Sequence, residues 1–153
     1  METVYAHHPN AGWIIRPLVQ GDVSGALEVF EACLAEFPWR PSFNNERAHL
    51  FQAAVNSDVL IAAEDNAGVV GFMVADLSTG YISHLFVHLD WRLCGIGTAF
   101  LDLAREASGK QLVLDVDEEN AAGRAAYEAL GWRVTEAARM TGRGYRQVRM
   151  ISP

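Results

Sequence analysis

Val87-His88-Leu89-Asp90-Trp91-Arg92-Leu93-Cys94-Gly95-Ile96-Gly97-Thr98 runs from an apolar strand into the start of a helix. Gly95 and Gly97 stand where that helix begins. The first N–H groups of a helix have no internal partner, and the helix dipole adds partial positive charge there. Glycines at that point let a pyrophosphate approach the backbone, and Arg92 can add a charge-assisted contact. The segment is neither a dinucleotide fingerprint, which asks for a third glycine where Phe100 stands, nor a P-loop, which asks for Gly-Lys-Ser/Thr. A tight strand-to-helix turn with no ligand would carry the same glycines.

Working outward, the period of the apolar residues sets the other elements. Upstream, 81–87 reads as a strand entered through Ser78-Thr79-Gly80, and 59–63 with 69–75 reads as a β-hairpin. Val23, Ala26, Leu27, Phe30, Cys33, Leu34 and Phe37 recur at helical spacing, with Asp22 as a candidate cap. Pro38-Trp39-Arg40-Pro41 breaks that helix, and a second one over 45–55 brings His49, Leu50 and Ala53 together. Trp13-Ile14-Ile15-Arg16 is a strand stopped by Pro17, while 1–12 has no periodicity and reads as a loose leader. Downstream come a helix over 95–108, a strand over 111–116, an alanine-rich helix over 120–130 and strands near 133–138 and 145–151. The order β-α-α-β-β-β-α-β-α-β-β implies an α/β fold with a mixed, mostly antiparallel central sheet flanked by helices. Strand-helix-strand units are expected to add parallel neighbours, and 13–153 is expected to form one domain.

The charge of −7 argues against a nucleic-acid-binding surface, which needs a basic stripe. No apolar run approaches the length of a membrane span, and the N-terminus lacks the pattern of a secretory signal. Cys33 and Cys94 form neither a CxxC pair nor a metal-ligand spacing, so free thiols in a reducing cytoplasm are the simplest reading and no metal is expected.

A second constellation follows the strand that ends at Leu114-Asp115-Val116. Asn120 and Tyr127 lie two turns apart along nearly one helix face, and Gly131 suits a left-handed C-terminal cap before Trp132. A phenol beside a departing thiolate can protonate it. Read singly, Asn120 is equally a plain helix cap and Tyr127 a core aromatic.

Taken together, the two segments resemble the acetyl-CoA signature of the GCN5-related N-acetyltransferase (GNAT) superfamily. Arg92-Leu-Cys-Gly95-Ile-Gly97 is similar to its Q/R-x-x-G-x-G/A motif, and Asn120 to Trp132 is similar to its helix ending in an aromatic after glycine. The element order agrees across residues 13–151. The resemblance implies an N-acetyltransferase that moves an acetyl group from acetyl-CoA to a primary amine of a small molecule or peptide by direct attack. It further implies that Leu85, Phe86 and Val87 offer backbone groups to pantetheine and thioester. Leu93, Cys94, Gly95, Ile96, Gly97 and Thr98 would wrap the pyrophosphate, with Arg92 beside them. Asn120 would fix the pantetheine or orient Tyr127, the acid for the thiolate. A homodimer through the C-terminal strands is also within the family's range. A non-catalytic acyl-CoA-binding domain on the same fold is the alternative, and Tyr127 favours the enzyme.

The general base is the open role. By the same resemblance Asp115 is one candidate and His84 another, although strand alternation points His84 away from Tyr81 and Ser83 unless a bulge intervenes. Acceptor choice falls to the first two helices and their loop, where Phe37, Trp39 and Phe43 make an apolar wall or simply complete the core. Arg40 is the residue expected to receive a carboxylate. The sequence departs from the family pattern at Leu89, where proline is common, and at Leu93-Cys94.

Overall fold

A computed structural model describes residues 4–153; residues 1–3 of the expected leader lie outside the described residues. The remainder of that leader includes a two-residue strand, β1 (Ala6–His7), paired with β2 (Ile14–Pro17). There follow α1 (Val23–Leu34), α2 (Phe43–Val55), β3 (Asp58–Glu64), β4 (Gly68–Asp76) and β5 (Tyr81–Val87). The chain ends with α3 (Ile96–Ser108), β6 (Val113–Asp117), α4 (Ala121–Ala129), β7 (Arg133–Met140) and β8 (Arg146–Ile151).

The sheet runs β1-β2-β3-β4-β5-β6-β8-β7. Tight turns join most neighbours, which are therefore antiparallel. Among the described strands only the β5–β6 neighbours, linked through α3, are parallel. The second strand-helix-strand unit departs from expectation: β8 folds back between β6 and β7, so those two are not neighbours. The mixed, mostly antiparallel sheet flanked by helices is otherwise the one read from the sequence.

Each face of the sheet carries its own apolar cluster. On one, Phe30, Val29 and Cys33 of α1 meet Phe72, Val74 and Ile61. On the other, Ile96, Phe100, Leu101 and Ala104 of α3 meet Met73, Ile82, Leu114 and Val116. Asp22 does not cap α1. Its carboxylate accepts from Arg16 at 2.7 and 3.0 Å and from the Val19 N–H at 2.8 Å, which ties β2 to the start of the helix. Ser42 does cap α2, accepting from Asn45 N–H at 3.2 Å, and so starts that helix earlier than the sequence pattern indicates.

Two features of β5 position the site. Val74 pairs with His84 and Ala75 with Ile82, so Ser83 is an extra residue in a β-bulge. A bulge turns the strand and resets which face each side chain takes. Ile82 thus joins the α3 face, while His84 meets the Phe30 ring of α1 at 5.8 Å. The second feature is the short pairing with β6, limited to Tyr81↔Val113 and Ile82↔Leu114. Past Ile82 the two strands part.

Candidate active site

The parted strands open a cleft of about 500 Å³, floored by Tyr81 to Val87 of β5 and Leu114 to Asp117 of β6. Asn120 and Tyr127 line it from the start and body of α4, Phe37 and Arg40 from the α1–α2 loop, His49 from α2 and Arg143 from the β7–β8 loop.

The α4 wall is built by local rules. Asn120 caps the helix, its Oδ1 accepting the Gly123 N–H at 2.9 Å. A Cβ at position 123 would stand 2.5 Å from Asn120 Nδ2, so a larger residue there would push the Asn120 amide out of its present rotamer. At the other end Gly131 has φ +90°, the Gly131 N–H donates to Glu128 O, and the Trp132 N–H donates to Tyr127 O, both at 3.0 Å. That pair of bonds closes the helix in a Schellman arrangement and folds Trp132 back toward Tyr127. The Tyr127 hydroxyl has no hydrogen-bond partner among the described residues. Burial pushes its pKa up to about 12.

At the glycine turn, Gly95 takes φ +83° as the residue before α3, and Leu93 takes φ +65° with its side chain fully exposed. A left-handed leucine is strained backbone of the kind that collects at ligand sites. Trp13 Nε1–H donates to Cys94 O at 2.9 Å and anchors the turn to β2. Arg92 grips the turn from the other side: its guanidinium pairs with Glu36, in the turn that follows α1, and its Nε donates to Val87 O at 3.2 Å. The Glu36 partner holds Arg92 above its ordinary pKa, and Arg92 in return holds Glu36 below its own. The Val87 carbonyl also accepts from Cys33 Sγ at 3.4 Å, so its oxygen is already engaged.

On the floor, Asp115 accepts from Tyr81 OH at 2.8 Å and from Arg149 at 3.0 and 3.1 Å. Burial, with Asp115 beside it, pushes Tyr81 up to about 12. The bulge brings His84 to the face of Tyr81, as the alternation rule allowed. His84 is 5% exposed, lies 5.1 Å from the His49 ring, and has its Nδ1 at 2.9 Å from Ser83 Oγ. Burial depresses its pKa to about 3, with His49, Arg40 and Arg143 adding to the effect. His49 is lowered by the same causes, burial first and Arg143 next.

The wall opposite α4 holds a polar network that the sequence reading missed. Arg40 donates Nε and Nη2 to the Asp117 carboxylate at 2.7 and 2.9 Å, and its Nη1 pairs with Glu46. Trp39 Nε1–H and Gln147 Nε2–H also donate to Asp117, at 2.9 and 3.0 Å. Glu46, 2% exposed, further accepts from Tyr145 OH and from Arg143 Nε at 2.7 Å. Arg40, expected to be open to a carboxylate, is thus already spent, because Asp117 and Glu46 are buried against it. Glu46 falls on the helical stripe of His49, Leu50 and Ala53, the one signal that pointed to it. No group of three or more His, Cys, Asp or Glu among the described residues is placed to hold a metal ion. None of the described helices is long and apolar enough to cross a membrane.

Comparison with known proteins gives a consistent family signal. A family model described as an acetyltransferase (GNAT) domain matches residues 28–152. No curated protein matches the sequence. Among solved structures, the chain is similar to apo YjaB from Escherichia coli, with TM-score 0.72, 20% identity, and 91% of this chain and 96% of that one covered. An acetyltransferase from Streptococcus agalactiae gives TM-score 0.70 at 16% identity, covering 92% and 98%. The ribosomal-protein-S18-alanine N-acetyltransferase of Escherichia coli gives 0.65 at 20%, covering 92% and 93%. At these identities the structural likenesses speak for the fold.

Proposed function

Because the chain belongs to the GNAT acetyltransferase family, we propose that it transfers an acetyl group from acetyl-CoA to a primary amine of a small molecule or peptide. The carrying observation is the β5–β6 opening, lined by Val87 and Arg92 at the entry to the glycine turn and by Tyr127, whose hydroxyl has no partner among the described residues. The cleft volume suits a slender pantetheine arm, and an α3 N-terminus with open space around Gly97 suits a pyrophosphate. The functional unit is 13–153.

In this reading the backbone of Leu93, Cys94, Gly95, Ile96, Gly97 and Thr98 receives the pyrophosphate. Arg92 holds that turn in shape and contributes its charge. Leu85, Phe86 and Val87 flank the pantetheine, and the Asn120 cap fixes the start of α4. The amine nitrogen attacks the thioester carbon, the carbon–sulfur bond breaks, and Tyr127 gives its phenolic proton to the departing thiolate. The phenolate regains a proton from solvent. Asp115 and His84 are the two candidates in the cleft for the proton shed by the amine, and water reaching the cleft is the third. Asp115 already accepts three hydrogen bonds, and His84 is a weak base in its buried setting. Arg40 and Arg143 favour an acceptor that arrives as the free amine.

Thermal melting with and without acetyl-CoA tests the first half. Saturating ligand stabilises the folded state by a few kcal/mol, about 2.7 kcal/mol at a hundredfold excess over Kd, and no shift would defeat the proposal. Release of CoA thiol across a panel of amines tests the second half. Binding without release from any amine would favour the non-catalytic alternative.

A further inference from the structure

We infer that the acceptor is an amine that also carries a carboxylate, and that Arg143 is the residue that binds it. The inference rests on the acyl-transfer reading above and names the substrate class for the same cleft. It starts from which polar groups of the acceptor wall remain open. Asp117 and Glu46 offer nothing to a ligand, since each side chain is 2% exposed and saturated by arginines and neighbours. Arg40 is turned wholly onto those two carboxylates. Asp115 is covered by Arg149 and Tyr81.

Arg143 differs. Its Nε is fixed by Glu46 at 2.7 Å and by the Tyr145 oxygen at 2.9 Å, which sets the plane of the guanidinium. The side chain lines the cleft at 19% exposure, and Nη1 and Nη2 have no hydrogen-bond partner among the described residues. Two parallel N–H donors on a pre-oriented guanidinium match a carboxylate. Arg139 also lines the cleft, but its guanidinium pairs with Glu136 at 3.3 Å, so the open fork is that of Arg143. The local field agrees: Arg143 is among the groups that keep both His49 and His84 neutral, in a chain whose net charge is −7. An acceptor with a second cationic group would meet repulsion here, and a purely apolar amine would leave the Arg143 donors unpaired.

The experiment compares one amine skeleton in three forms, an amino acid, its amide and its methyl ester, by initial rates of CoA thiol release. The free carboxylate is expected to give kcat/KM higher by about ten- to a hundredfold, expressed in KM. In Arg143→Gln the ratio of kcat/KM between the free carboxylate and the amide is expected to fall toward one, whatever the variant's absolute rates. Arg143→Lys, which keeps the charge but not the fork, should retain part of the preference. Equal rates for the three forms in the wild-type protein would overturn the inference and leave acetyl transfer standing. No thiol release from any form of any skeleton in the amine panel would overturn the transfer reading and this inference together. The wild-type comparison decides the matter even where a variant loses its fold.

Discussion

The Tyr127 ring packs against the Trp132 indole with centroids 5.2 Å apart and planes inclined by 57°. Gly131 between them makes this contact, because its φ of +90° reverses the chain within one turn of the helix. The device that ends α4 therefore also fixes the ring that we assign as the acid. Trp132 is 4% exposed and belongs to the core on the α3 face, so the phenol is braced by packing while its hydroxyl bonds to no other described residue.

Replacing Tyr127 by Phe removes that hydroxyl and little else. The expected loss in kcat is about a hundred- to ten-thousandfold, the range for a positioned general acid. Melting temperature is expected to stay near wild type, since no protein group loses a partner. A phenol with its pKa pushed up to about 12 keeps its proton throughout the neutral range. The wild-type rate should accordingly show no decline assignable to Tyr127 between roughly pH 7 and 10. Unchanged kcat in the variant would remove Tyr127 from the mechanism.

Gly131→Ala tests the brace itself. A left-handed backbone costs an L-residue roughly 1–2 kcal/mol, and a Cβ here would come within 3.4 Å of Pro153. Chemical denaturation is expected to show a loss of about that size. The Trp132 fluorescence should change as its contact with Tyr127 loosens. Wild-type stability would mean that the cap does not hold the ring.

The glycine turn and the α4 cap are legible in sequence because their physics is local. Glycine at 95 and 131 declares a left-handed backbone, and Asn120 declares a cap. The bulge at Ser83 is not legible, since an extra residue in β5 exists only relative to its register with β4. The acceptor wall is hidden for a related reason. Arg40 and Asp117 are 77 residues apart and Glu46 and Tyr145 are 99 apart, and no spacing rule links them. Arg40 looks open in sequence because its partners arrive only with the fold.

Asp117→Ala would leave Arg40 facing the core with half its partners gone. Removing one member of a buried ion pair typically costs about 3–5 kcal/mol, because the other charge remains desolvated. Urea denaturation is expected to report a loss in that range. Because Arg40 and Glu46 join β6 to α2, acceptor KM should rise more than the Kd for acetyl-CoA. A loss below about 1 kcal/mol would place this network among weakly coupled surface pairs.

His84 sets the acid limit of stability. Its folded pKa, about 3, lies below the ordinary 6.5, so under mildly acidic conditions the unfolded chain binds a proton that the folded chain refuses. The stabilising contribution is complete above about pH 6.5 and is lost as pH falls toward the folded value. His49, also lowered, acts with the same sign. Asp22 and Glu36 are lowered too, but their ordinary values are 3.8 and 4.5, so they act mainly at lower pH. Between about pH 6.5 and 4.5 the slope of unfolding free energy against pH should therefore reflect proton uptake by the histidines. His84→Gln is expected to reduce that slope by up to one proton while leaving the decline below pH 4 in place. Identical slopes for the two proteins would mean that His84 is solvated enough to titrate normally, and would restore it as an effective base for the amine.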